Sequence, residues 1–271
     1  MKTYIGLVAG SLVFNGGRFV YDLALLNSRL NDRSKLAGHL DGKASISYNQ
    51  ENQHMQLQAN AALDNAFYDY SQNNKQHHLA INHATFSSKL GEQGFNNNLL
   101  LFVNDNEELK ANFSMPNYQG HGLPDGDEVI AGQLTTYIDN LDLLTAFTND
   151  LDDPKGVVKG ALTISGTKAK PKINGEVNLI NASTTVVPLG IKIKPVNFTV
   201  KAGNSTITYA GKIKQKKQQL LINGTTALSY PLFPTILTIK SESFTLSNTA
   251  EYYLPASLDT RIKIEGKDIN V

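Results

Sequence analysis

The sequence predicts an all-β protein: one antiparallel sheet, apolar on one face and bent along its length, with one short helix near residues 138–151. Three observations carry that prediction. Apolar residues alternate with Lys, Asn, Gln, Ser and Thr in run after run, and successive side chains of a strand point to opposite faces. Hydrophobic residues make up 41% of the chain and charged residues only 18%, which suits a sheet with one wet face rather than a charge-rich disordered chain. Glycines recur at positions that the alternation assigns to the apolar side, where each permits a bend or a close backbone approach.

Taken in order, the chain opens with MKTYIGLVAGSLVFNGG. Gly6, Gly10 and Ser11 interrupt its apolar run, and Ile5, Leu7 and Ala9 alternate, so it reads as a strand more than as a secretory leader. Clear alternation follows at Met55/Leu57/Ala59/Ala61 and Leu109/Ala111/Phe113/Met115. Turn signals stand at Asn15-Gly16-Gly17, Asp41-Gly42, Pro124-Asp125-Gly126 and Ala202-Gly203-Asn204. In QLTTYIDNLDLLTAFTNDL the spacing changes: Ile138, Leu141, Leu144 and Leu151 follow a helical period, ended by Asp152-Asp153-Pro154.

Beyond it come Val158/Gly160/Leu162/Ile164, Ile173/Gly175/Val177/Leu179, Val196/Phe198/Val200, Ile207/Tyr209/Gly211/Ile213 and Leu220/Ile222/Gly224. Leu237/Ile239 and Ile262/Ile264 close the series. The total is about sixteen to eighteen strands. Short connections favour pairing between neighbours. Three regions are expected: a β segment over 1–133, a helical boundary over 134–153, and a second β segment over 154–271.

Charge divides at the same boundary. Up to Pro154 there are 9 Lys and Arg against 18 Asp and Glu, a net −9; from Lys155 on there are 16 against 6, a net +10. An acidic part joined to a basic part points to orientation in a field or docking, or to no more than drift of solvent-facing positions. The absence of cysteine excludes a disulfide framework and Cys-ligated zinc. No run approaches the roughly 18 apolar residues of a membrane-spanning helix, so any membrane anchor is expected outside this chain.

Catalytic chemistry finds little support. His77-His78 and His83 form the one histidine cluster, with no acidic pattern to complete a metal triad, and they read as solvent-facing strand residues. Asp125–Glu128 and Asp150–Asp153 lack the ligand spacing of a calcium loop. No nucleophile elbow, phosphate loop or dinucleotide fingerprint is present, so the protein is expected not to be an enzyme and to need no cofactor and no metal. Lys168, Lys170 and Lys172 share a face, as do Lys192/Lys194 and Lys212/Lys214. Without interleaved aromatics they argue against nucleic acid and for a solvated face or a protected edge.

Leu141 to Val200 resembles the TamB family of bacterial envelope proteins, within the AsmA-like bridge-type lipid transfer proteins. In that family a leucine-rich segment precedes a G-x-L-x-G-x-x-x-x-S-G-T-x-x-x-P-x-x-x-G-x-x-x-L run. Gly156–Thr163 carry an approximate opening; Ser165-Gly166-Thr167, Pro171, Gly175 and Leu179 carry the rest, and Val187-Pro188-Leu189-Gly190-Ile191 the follow-on. Near the end, Ala256-Ser257-Leu258-Asp259 stands where the family usually has SPDL, a looser match. The resemblance points to an internal or C-terminal-proximal segment.

It implies a periplasmic protein that bridges inner and outer membranes as an open apolar trough, a β-taco, and works with TamA, an outer-membrane barrel. The implied cargo is phospholipid, held by its acyl chains. The alternative is a chaperone-like factor for outer-membrane protein translocation and assembly, receiving strands at its sheet edges. An ordinary β-sandwich, its apolar face covered by a second sheet, is the remaining reading. The residues expected to line the groove are Val158, Leu162, Ile164, Ile173, Val177, Leu179, Ile191, Ile193, Val196, Phe198, Val200, Ile207, Tyr209, Ile213, Leu220 and Ile222. Small residues on that face, Gly160, Gly175 and Gly211 among them, are expected to leave its interior unfilled.

Overall fold

The computed structural model describes residues 4–8, 11–29, 34–72, 75–104, 107–146, 148–229, 232–266 and 268–270. Among them sixteen strands form one sheet in which each strand is hydrogen-bonded to its sequence neighbours. They are β1 Tyr4–Val8, β2 Ser11–Asp22, β3 Lys35–Asn49, β4 His54–Gln72, β5 Lys75–Gly91, β6 Gly94–Asn104, β7 Glu107–Met115 and β8 Ala131–Ile138. There follow β9 Leu151–Gly166, β10 Pro171–Val186, β11 Ile191–Gly203, β12 Thr206–Gln215, β13 Gln218–Ala227, β14 Thr235–Asn248, β15 Tyr253–Glu265 and β16 Asp268–Asn270. The fold class is the one the alternation predicts: an open antiparallel sheet.

The chain divides into two compact units. One comprises Met1–Ser71, His78–Thr135 and Thr163–Pro171; the other comprises Gln72–His77, Thr136–Leu162 and Lys172–Val271.

In the first unit, two expected turns lie inside strands. Asn15-Gly16-Gly17 falls within β2 and Asp41-Gly42 within β3. The physical reason is a local irregularity: the β2–β3 register shifts between Gly16 and Phe19, and Phe19 then stands opposite Gly42. A Cβ on Gly42 would lie 2.2 Å from the Phe19 ring, so this glycine seats an aromatic side chain instead of turning the chain.

Beside that seat, the Arg18 guanidinium on β2 donates to both carboxylate oxygens of Asp41 on β3. That hydrogen bonding holds the Asp41 carboxyl below its ordinary 3.8 and raises Arg18 further. A depressed carboxylate stabilises the folded state above its unfolded value, and the contribution is lost as pH falls through the depressed one. An NMR titration is therefore expected to place the Asp41 midpoint below 3.8 and to return it toward that value in Arg18→Gln.

The Thr167–Lys170 turn between β9 and β10, whose lysines were expected on a solvated face or a protected edge, is itself paired. Lys168 N donates to Glu128 O at 2.9 Å, Ala169 N to Gly126 O at 2.8 Å, and Lys168 Nζ to Pro124 O at 2.6 Å. The acidic Asp125–Glu128 loop thus has a structural role against this turn. Farther up the same loop, Gly120 accepts from Met55 N at 2.8 Å, and the Tyr118 hydroxyl donates to Gly122 O at 2.6 Å. Burial raises the Tyr118 pKa, which keeps that hydroxyl a donor.

In the second unit the expected helix is one 3-10 segment, Leu141–Ala146, with an acidic residue, Asp142, in its first turn. It is shorter than the helical spacing suggested, because Leu151 through Pro154 already belong to β9. The sheet of this unit curls back on itself at one end. Gln215 on β12 donates from Nε2 to Thr245 O on β14 at 3.3 Å, and its Oε1 accepts from Thr245 N at 3.0 Å. Ser247 on β14 reaches Leu189 O in the 3-10 turn Val187–Leu189. A register irregularity between Ser241 and Phe244 aims the end of β14 that way.

Candidate functional site

The register of β10 to β15 aligns the alternating apolar residues into rows across the strands, since directly paired residues of antiparallel neighbours share a face. One row runs Val177, Val200, Tyr209, Gly224, Leu237 and Ile262. The next runs Leu179, Phe198, Gly211, Ile222, Ile239 and Thr260. A third joins Ala182, Val196, Ile213 and Leu220. Across the opposite face run Asn178, Thr199, Ala210, Asn223, Thr238 and Arg261. Six strands at about 4.8 Å spacing make this apolar face about 24 Å wide.

Two irregularities keep the face continuous. On β10 the register shifts between Leu179 and Ala182, where Asn181 takes φ +50° and its N–H is held by Asn197 Oδ1 at 2.9 Å. On β11, Val196 pairs with Ala182 and Ile193 with Thr184, so three residues of one strand match two of the other. Strict alternation would send Ile191 and Ile193 to the wet side; the extra residue returns them to the apolar side.

Of the sixteen residues expected to line a groove, Val177, Leu179, Ile191, Ile193, Val196, Phe198, Val200, Ile207, Tyr209, Ile213, Leu220 and Ile222 meet on this face. Ile173 precedes them on β10, its N–H donating to Asn204 O at 2.8 Å. Val158 and Leu162 stand on β9 in the same unit, while Ile164 belongs to the other unit. Only Ile191 of the sixteen is buried, at 5% exposure; the others are half-buried. A covered sandwich face would bury most of them. The polar atom of Tyr209 is satisfied within the sheet, its hydroxyl 3.0 Å from Thr226 Oγ1.

The glycines of this face are not empty places. The Phe198 ring lies over Gly211, with a hypothetical Cβ only 2.6 Å away, and Leu237 covers Gly224. Gly160 and Gly175 serve backbone approach between β9 and β10: a Cβ on Gly160 would meet Glu176 O at 2.2 Å, and one on Gly175 would meet Ala161 O at 2.1 Å.

The 3-10 segment adds a feature that periodicity alone did not place. Ile138, Leu141, Leu144, Leu151, Pro154 and Val158 enclose, with Leu179, Ala182, Ile193 and Val196, a cavity of 360 Å³. That volume falls within the roughly 300–1,000 Å³ range of small-molecule sites, and the lining is almost wholly apolar.

The histidines have partners that lay too far upstream for the sequence to suggest. His78 Nδ1 stands 2.5 Å from Asp69 and His83 Nδ1 2.5 Å from Asp64, both across the β4–β5 pair. Among the described residues no group of three or more His, Cys, Asp or Glu could hold a metal ion, and no helix is long and apolar enough to cross a membrane.

A family model described as TamB, N-terminal domain, matches residues 10–179, well over half of the chain. No curated protein and no solved structure matches. The matched region contains the Gly156–Leu179 motif series and extends back over β2 to β9. Its designation as an N-terminal domain differs from the internal or C-terminal-proximal placement that the motifs suggested. Motif series, open antiparallel sheet and family model converge: the chain belongs to the TamB family.

Proposed function

We propose that the chain is a non-enzymatic segment of a periplasmic bridge that carries phospholipid between membranes along the apolar face of β10–β15. The observation that supports this reading most is the exposure of the face. Eleven of the twelve expected residues that meet there are half-buried, although they stand in rows dense enough to form a core. Each CH₂ kept from water stabilises a bound chain by about 0.8 kcal/mol, and two long acyl chains together by roughly 25 kcal/mol. A face that offers apolar contact in consecutive rows lets a lipid advance from strand to strand with one side of its acyl chains kept from water throughout. Membership of the TamB family supports an envelope location and association with TamA and with membranes.

Photo-crosslinking in cells tests the proposal. A crosslinker at Val177 or Phe198 is expected to capture phospholipid, and one at Asn178 or Asn197, on the opposite face, is not. Equal labelling at both pairs of sites would sink it. Capture of unfolded outer-membrane barrel proteins at the strand edges, with no lipid at Val177, would instead favour the assembly role.

A further inference from the structure

Where the apolar face ends, the sheet carries a recess that the lipid reading has not used. It is a cavity of 740 Å³ between the start of β11, the β12–β13 hairpin, the end of β14 and the start of β15. Four lysines line it, Lys192, Lys194, Lys216 and Lys217, with no acidic residue among the lining groups. Among the described residues none of the four forms an ion pair with a carboxylate.

The recess is a built feature. Its floor is the Gln215–Gln218 pair, one step beyond Ile213 and Leu220 on the apolar face. Gln215 and Thr245, each 8% exposed, are tied by reciprocal hydrogen bonds, and Gln218 Oε1 accepts from Thr245 N at 3.0 Å. Its wall is set by Gly190, at φ +62°, where a Cβ would come within 2.3 Å of Asn248 O. Lys216 occupies φ +55° in the hairpin turn, a conformation ordinarily given to Gly or Asn. The turn therefore keeps cations where local preference disfavours them.

Ile191, at the start of the apolar face, also lines the recess. We propose that the recess binds the phosphate diester of a phospholipid headgroup whose acyl chains lie on the face that begins at Ile191. This rests on the lipid reading of the face and adds to it a preference for phosphate-bearing lipid over neutral lipid of equal chain length. The rim group Tyr253, 66% exposed, suits a boundary between apolar chain and wet headgroup.

Binding to the purified full chain tests the inference, with dioctanoylphosphatidylglycerol, dioctanoylglycerol and glycerol 3-phosphate as probes. Wild type is expected to bind the phospholipid about tenfold more tightly than the diacylglycerol, the sum of modest exposed charge contacts. The preference is expected to collapse at about 1 M salt, where the Debye length falls to roughly 3 Å. Changing all four lysines to Gln alters only exposed side chains. It is expected to equalise the two lipids while leaving diacylglycerol binding unchanged. Retained preference in that variant would overturn the headgroup site and leave the apolar face standing. Glycerol 3-phosphate binding as tightly as the phospholipid would mark a free-anion site and overturn it as well. Binding of neither lipid would overturn both readings.

Discussion

An arginine in place of Val200 is expected to abolish phospholipid capture by a crosslinker at Phe198 while the protein stays folded. Val200 sits at the centre of the apolar rows, between Val177 and Tyr209. It is half-buried, so a long side chain can reach outward without displacing a packed neighbour. An acyl chain crossing that position would have to pass a guanidinium. A charge of this kind in hydrocarbon costs about 2.5–3.5 kcal/mol, or roughly a hundredfold in occupancy. The control is Thr208→Arg, an exposed position paired with Lys201 on the wet face, which is expected to change nothing. Undiminished labelling at Phe198 in Val200→Arg, with an unchanged circular dichroism spectrum, would remove the face from the lipid path.

The second large effect concerns stability. Gly160→Val is expected to lower the unfolding free energy by about 3 kcal/mol, because the new Cβ meets backbone and not a movable side chain. Glu176 O would lie at 2.2 Å and Val177 Cα at 2.6 Å, so β9 and β10 would have to part. Gly175→Val adds a backbone cost of about 1–3 kcal/mol, since its φ of +124° is one that side chains rarely adopt. Gly203→Ala, with nothing within 4 Å, is the matched control and is expected to stay within about 0.5 kcal/mol of wild type. Denaturant midpoints measure all three. A Gly160→Val midpoint equal to that of Gly203→Ala would show that the close approach of the two strands is dispensable.

The alternation made the strands and the apolar side of each legible, because a two-residue period needs no knowledge of neighbours. What it could not supply was register. Ile193 and Val196 differ by an odd number of residues, so periodicity alone sets them on opposite sides; the extra residue that reunites them is visible only in the β10–β11 pairing. The meaning of glycine was hidden for the same reason. Gly42 looked like a turn and Gly211 like a gap, yet each seats an aromatic ring supplied by the adjoining strand. The leucines of Leu141–Ala146 were read as helical from their spacing, but not the cavity that they close against Leu179 and Val196. The lysine recess was equally out of reach. Lys192 and Lys194 stand more than twenty residues before Lys216 and Lys217, and the fold of β14 toward β11 is what encloses them.

Pairing of every strand with its sequence neighbours makes this sheet a one-dimensional lattice with nearest-neighbour coupling. Among the described residues each strand takes its ladder partners from its sequence neighbours. Excising one hairpin, such as β12 with β13, would leave β11 and β14 in the same antiparallel sense. The repeat unit of such a lattice is therefore two strands, and its span can change by whole hairpins, roughly 10 Å at a time, without rewiring the remainder. Length becomes a freely evolvable quantity, uncoupled from the topology that produces it.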